Sequence, residues 1–78
     1  MNRVETIEWL ASMFDEPVAN MSEATSRESI AGWDSMGTLT LMAEMDEKFD
    51  IQLDEKDIQS LRSIGDLLSF LEARGKLA

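Results

Sequence analysis

A chain of 78 residues with 44% apolar side chains has room for one small core, so it reads as a single domain, 1–78, of the globular rather than the disordered kind. It holds neither histidine nor cysteine, which removes disulfides, the common zinc ligands, the thiol nucleophile and the usual general base near neutral pH; neither an enzyme nor a metal protein is expected. Sixteen acidic against seven basic side chains leave a net charge of −9, which repels nucleic-acid phosphates and anionic lipid and favours partners with basic patches.

Val4, Ile7, Trp9, Leu10, Ala11, Met13 and Phe14 recur at spacings of three and four, predicting a first helix from about Val4 to Phe14. Glu5 and Glu8 interrupt this stretch, so it reads as neither a signal peptide nor a membrane span, and the expected location is the cytoplasm without membrane insertion. Pro17 is expected to close the helix. The following connection, through residue 34, is rich in turn-forming and small polar residues, with Val18, Met21, Ile30 and Trp33 as its apolar anchors. Connections this long are uncommon in small domains, so it should pack down through those anchors.

A second helix is predicted from Ser35 to Phe49. Met36, Leu39, Leu41, Met42, Ala43, Met45 and Phe49 cover a wide apolar arc, with Gly37, Thr40, Glu44, Glu47 and Lys48 opposite. An arc that wide is more than one neighbour can cover, leaving apolar surface for a visiting protein. After an extended piece at residues 51–53, Asp54 is placed to cap a short third helix carrying Ile58 and Leu61. Ser63 caps a fourth, with Ile64, Leu67, Leu68, Phe70 and Leu71 facing inward and Gly75 ending it. No stretch alternates with period two. The predicted architecture is all-α, a four-helix bundle of three longer helices and a short third, with a long loop between the first two.

Asp34 and Ser35 stand where the second helix begins. An Asp–Ser pair there is an ordinary N-cap, accepting from the free amides of the first turn. A phosphate ester on Ser35 would meet the same amides and the positive end of the helix, so the serine also suits a phosphodiester anchor. A calcium loop over residues 46–57 is excluded by Lys48 at a ligand position and Ile51 where glycine is required. A serine hydrolase lacks its histidine base.

The run WDSMGTLTLMAEMDEKFDIQL, with DSM at 34–36 and EKFDI at 47–51, resembles the acyl carrier proteins, and the likeness extends over nearly the whole chain. The resemblance implies a 4′-phosphopantetheine arm on Ser35, flanked by Asp34 and Met36 in the recognition motif. It implies a phosphopantetheinyl transferase, an acyl- or aminoacyl-loading ligase and downstream acyl-transfer enzymes as partners, and a monomeric carrier with no catalysis of its own. Partner contacts would fall on Leu39, Ala43, Glu44, Asp46 and Glu47, with a basic surface meeting the acids and weakening with salt. Thr38, Leu41, Met45, Phe49, Leu53, Ile58, Leu61, Leu67 and Leu71 would line the space between helices where some carriers shelter an acyl chain.

This chain departs from the fatty-acid carriers at the positions two and five after the serine, where Gly37 and Thr40 replace the usual acids. Gly37 is expected to loosen the first turn, since glycine costs about 1 kcal/mol relative to alanine in a helix. The DSMGT wording is similar to D-alanyl carrier proteins, whereas the C-terminal half is closer to ordinary acyl carriers. Ile58 and Leu67 are bulky, which implies a partly filled pocket and a specialised pathway with short or polar cargo. An acidic helical adaptor with no covalent arm is the reading from a different class. Whatever the role, self-repulsion of the acids should ease as salt or divalent cations screen it.

Overall fold

The computed structural model describes residues 1–77. They form four helices: α1 (Arg3–Met13), α2 (Ser35–Phe49), α3 (Glu55–Ser60) and α4 (Ile64–Ala73). Single 3₁₀ turns at Val18–Asn20 and Arg27–Ser29 punctuate the α1–α2 connection. Among the described residues no strand forms, and no helix is long and apolar enough to cross a membrane. The helical fold matches the expected bundle, including its short third member.

Helix α1 starts one residue earlier than the apolar pattern suggested, because Asn2 caps it. The Asn2 side chain accepts from the Glu5 amide at 2.8 Å, and Glu5 accepts from the Asn2 amide at 3.1 Å, which satisfies two otherwise orphaned donors. Its buried line is Thr6, Leu10, Ala11 and Phe14. Val4 does not belong to it: at 67% exposure it stands about 120° around the helix from Leu10. Thr6 takes its place in the interior because its hydroxyl donates to the Asn2 carbonyl at 2.7 Å.

Pro17 does not end α1. Asp15 does, by turning left-handed at φ 54, so that its amide donates to Ser12 (3.3 Å) and that of Glu16 to Ala11 (2.9 Å). Gly75, at φ 71, ends α4 in the same manner, as its sequence position predicted; the Lys76 amide donates to Leu71 at 2.9 Å.

The long connection packs down, as expected, but Val18 is half exposed and only Met21, Ile30 and Trp33 enter the core. Backbone bonds do the rest of the anchoring. The Arg27 amide donates to Arg62 (2.8 Å), and the amides of Ile64 and Gly65 donate to Thr25 (3.0 Å) and Glu23 (2.8 Å). The Arg27 guanidinium reaches the carbonyls of Leu61 (3.1 Å) and Ile58 (3.4 Å) at the end of α3, where Ile58 also accepts from the Leu61 amide at 3.2 Å. A second arginine, Arg3, ties α1 to the connection through Glu23 (2.6 Å) and to α4 through Glu72 (3.0 Å). That guanidinium holds the Glu23 carboxyl below its usual range, by hydrogen bonding first and by charge second.

Leu10, Phe14, Leu41, Met45, Ile64, Leu67, Leu68 and Leu71 form the innermost part of one apolar cluster. Asp54 and Asp57 cap α3 reciprocally, and Ser63 caps α4 by accepting from the Asp66 amide at 3.1 Å. Phe70, expected to face inward, packs against the core only partly buried, because it stands about 100° around α4 from Leu71; the Arg74 guanidinium lies 3.6 Å from its ring centre.

Candidate functional site

The head of α2 is built on backbone contact. Gly32 lies so close to the end of α1 that a β-carbon on it would stand 1.9 Å from the Phe14 carbonyl oxygen. Gly37, one turn into α2, would likewise place a β-carbon 1.9 Å from the Gly32 oxygen. The end of α1, the last loop residues and the first turn of α2 are therefore stacked main chain on main chain, which only two glycines permit. Gly37 is buried, not on the outward side where the apolar arc had placed it, and it fits this turn tightly instead of loosening it.

Trp33 completes the platform. Its indole is 5% exposed and stacks on Phe14 with centroids 5.0 Å apart and planes inclined by 12°. Its amide donates to the Ile30 carbonyl at 3.0 Å, closing the loop just before the helix. With that ring buried, the next two residues are turned outward.

Asp34 is the N-cap, as its position predicted. Its carboxylate accepts from the Gly37 amide at 2.9 Å, and its carbonyl accepts from both the amide and the hydroxyl of Thr38, each at 2.8 Å. Ser35 follows, exposed, and no hydrogen bond among the described residues engages its hydroxyl. The amides of Ser35 and Met36 belong to the first turn, where a helix offers no internal acceptor. A phosphodiester on Ser35 fits this setting. Its oxygens can meet those amides and the positive end of a fifteen-residue helix, and nothing covers the hydroxyl.

The other residues singled out by sequence divide into two groups. Met36 (72% exposed) and Leu39 (59%) lie on the outer face of α2 with Ala43, Asp46 and Glu47, while Glu44 is half buried. Leu41, Met45, Leu53, Leu61, Leu67 and Leu71 are buried together in the core cluster; Phe49 and Ile58 pack against it partly buried, and Thr38 is half buried at its edge. Gly32 and Phe14, which position the site, were not among the residues expected to matter, nor was Arg27. The WDS run hinted at the first two, since a large ring just before a cap must be packed against something. Among the described residues no group of three or more acidic side chains is arranged to hold a metal ion.

A family model described as the phosphopantetheine attachment site matches residues 7–71. An acyl carrier protein of Exiguobacterium is 24% identical over 71 residues, covering 91% of this chain and 90% of its own length. One from Bdellovibrio bacteriovorus is 36% identical over 45 residues, 58% of each chain. A third, from Prochlorococcus marinus, is 26% identical over 78 residues, 95% of this chain and 98% of its own.

Proposed function

Because the chain belongs to the acyl carrier protein family, the phosphopantetheine-binding carriers, we propose that it holds acyl or similar cargo as a thioester on an arm joined to Ser35 and delivers it to successive enzymes. The family's covalent 4′-phosphopantetheine, when bound, supplies the thiol that a chain without cysteine cannot. The observation that carries the assignment of Ser35 is its exposed, unengaged hydroxyl on a helix head fixed by Asp34, Trp33 and two glycines.

Each residue of the head has a physical task in this reading. Asp34 caps the Gly37 amide and so leaves the amides of Ser35 and Met36 for the phosphate oxygens. Trp33 and the glycine contacts keep the attachment point still while the arm swings, so that cargo samples a defined volume at high effective concentration for whichever enzyme has docked. A phosphopantetheinyl transferase installs the arm from coenzyme A, a ligase loads it, and acyl-transfer enzymes unload it. These partners approach α2 across Met36, Leu39 and Ala43, with Glu44, Asp46 and Glu47 at its far end. The carrier is a cytoplasmic monomer.

Leu41, Met45, Phe49, Leu53, Ile58, Leu61, Leu67, Leu71 and Thr38 are the interior positions an acyl chain would enter. Six of them are already closely packed core, which favours short or polar cargo over a long sheltered chain. The likeness of DSMGT to D-alanyl carrier proteins keeps an aminoacyl carrier, D-alanyl-like or peptidyl, as the second reading.

Loading tests the proposal. The arm-bearing protein, given ATP with an acyl or aminoacyl ligase, should gain cargo that hydroxylamine releases, as it does a thioester. Cargo bound through a hydroxylamine-stable link, or gained equally by Ser35→Ala, contradicts it.

A further inference from the structure

In a chain of net charge −9, two of the seven basic side chains meet at one open cavity, between the 3₁₀ turn at Arg27–Ser29 and the end of α3. The cavity has a volume of about 330 Å³ and is lined by Arg27, Glu28, Ile58, Gln59 and Arg62. Backbone contact holds the two arginines side by side: the Arg27 amide donates to the Arg62 carbonyl at 2.8 Å, and Ser26 and Ser63 form an antiparallel bridge next to them. Both guanidiniums turn to the same short piece of main chain, Arg27 through Nη1 to Ile58 and Leu61, and Arg62 through Nε to the Gln59 carbonyl at 3.4 Å.

Capping the end of α3 uses one nitrogen of each arginine. The Nε and Nη2 of Arg27 and both Nη of Arg62 donate to nothing among the described residues, whose ion pairs involve Arg3 alone. Glu28 stands at the same cavity without pairing to either arginine, so the lining keeps an excess of positive charge. Adjacent guanidiniums with unused donors form a receptor for a carboxylate, which each can meet through two parallel hydrogen bonds. Ile58, partly buried against the core, adds an apolar wall beside them.

The cavity is within reach of the attachment point. The Arg27 carbonyl accepts from the Ile30 amide (3.1 Å) and the Ile30 carbonyl from the Trp33 amide (3.0 Å), two consecutive tight turns that keep the α-carbons of Arg27 and Ser35 within about 22 Å of each other. A phosphopantetheine arm is about as long as five residues of extended chain, about 17 Å, and the cargo and an arginine side chain add to that reach from either end. We infer that Arg27 and Arg62 receive a carboxylate at the free end of the cargo, so that this carrier is suited to acyl groups ending in an acid. The inference rests on the arm being attached at Ser35, and it narrows short or polar cargo to one chemical class. An aminoacyl cargo, with its ammonium, would be repelled by the same pair.

The test uses the full chain, loaded in one step by a broad-specificity phosphopantetheinyl transferase from glutaryl- or pentanoyl-coenzyme A, acyl groups of equal carbon number, with intact mass verifying each product before and after melting. The glutaryl form of the wild type should melt about 4 °C or more above the pentanoyl form, even though it adds a negative charge to an acidic chain. Within Arg62→Gln, and within Arg27→Gln, that difference should fall below about 1 °C; comparing two cargoes on the same variant cancels whatever the substitution does to the fold. Free glutarate at about 0.1 mM, far below the millimolar effective concentration of a tethered group, should leave the midpoint of the arm-bearing protein unchanged. The absence of a glutaryl advantage in the wild type, an advantage that survives in both variants, or a full shift from free glutarate overturns the inference while leaving the attachment intact. Failure of the wild type to take any arm overturns the carrier reading itself.

Discussion

The carbonyl oxygen of Gly32 occupies the place where a β-carbon on Gly37 would stand, only 1.9 Å away. Helix propensity alone makes Gly37→Ala stabilising by about 1 kcal/mol. The contact reverses the sign, because the obstructing atom is backbone and cannot rotate aside. Gly37→Ala should destabilise the fold by about 1–3 kcal/mol, the range of overpacking, measured as a lower denaturant midpoint at unchanged slope. A gain in stability would show that the turn has slack.

Arg27 links the long connection to α3 by donating to Ile58 and Leu61. Helix α3 has six residues and buries none of them fully, so little else holds it. Arg27→Ala should cost about 1–2 kcal/mol, toward the low end for hydrogen bonds from a charged group because Ile58 keeps the Leu61 amide and the freed Leu61 carbonyl can meet water. The loss should be local. Amide exchange in α3 should accelerate by about tenfold while that of α4 is unchanged.

Glu23 gives the fold one acid-sensitive tie. Its carboxyl is held below the ordinary value by Arg3, so the pair stabilises the native state above that value and loses its effect as pH falls through the lowered one. The stability difference between wild type and Glu23→Gln should therefore stay constant from neutral pH down to about 4.5 and close below it. A difference that persists unchanged in strong acid would assign the effect of the substitution to something other than ionisation.

The interior of this carrier is expected to take little of a long acyl chain. Each buried methylene contributes about 0.8 kcal/mol, so a chain with eight of them sheltered would stabilise the protein by about 6 kcal/mol. With Leu41, Met45, Leu61, Leu67 and Leu71 already packed against one another, loading the arm with progressively longer chains should raise stability by less than about 1 kcal/mol in total. A steep, length-dependent rise would show that the core opens.

Much of this molecule could be read from the chain because its signals are local. Asp34, Asp54 and Ser63 announce their helices as caps, Gly75 marks the end of α4, and the spacing of Leu41 with Met45 and of Leu67 with Leu71 fixes their inward faces. The errors fall where distant segments meet. Val4 shares the apolar character of its helix but not its direction, whereas Thr6 is interior because a hydroxyl can satisfy itself on the preceding turn. Gly37 looked like a weakness in a helix because its partner, Gly32, lies in a different element, and only the folded chain reveals that the two backbones touch. Phe14 and Trp33 are nineteen positions apart, and their stacking has no period to betray it. The motif singles out Ser35 as the proposed attachment point, and the fold adds an exposed position on a capped helix head.

The most direct measurement is the intact mass of the full chain after incubation with coenzyme A and a broad-specificity transferase, beside the same reaction on Ser35→Ala. The account predicts one phosphopantetheine on the wild type, mapped to the peptide containing Ser35, and none on the variant. An unmodified, well-folded wild type, or an arm found on another residue, would contradict it.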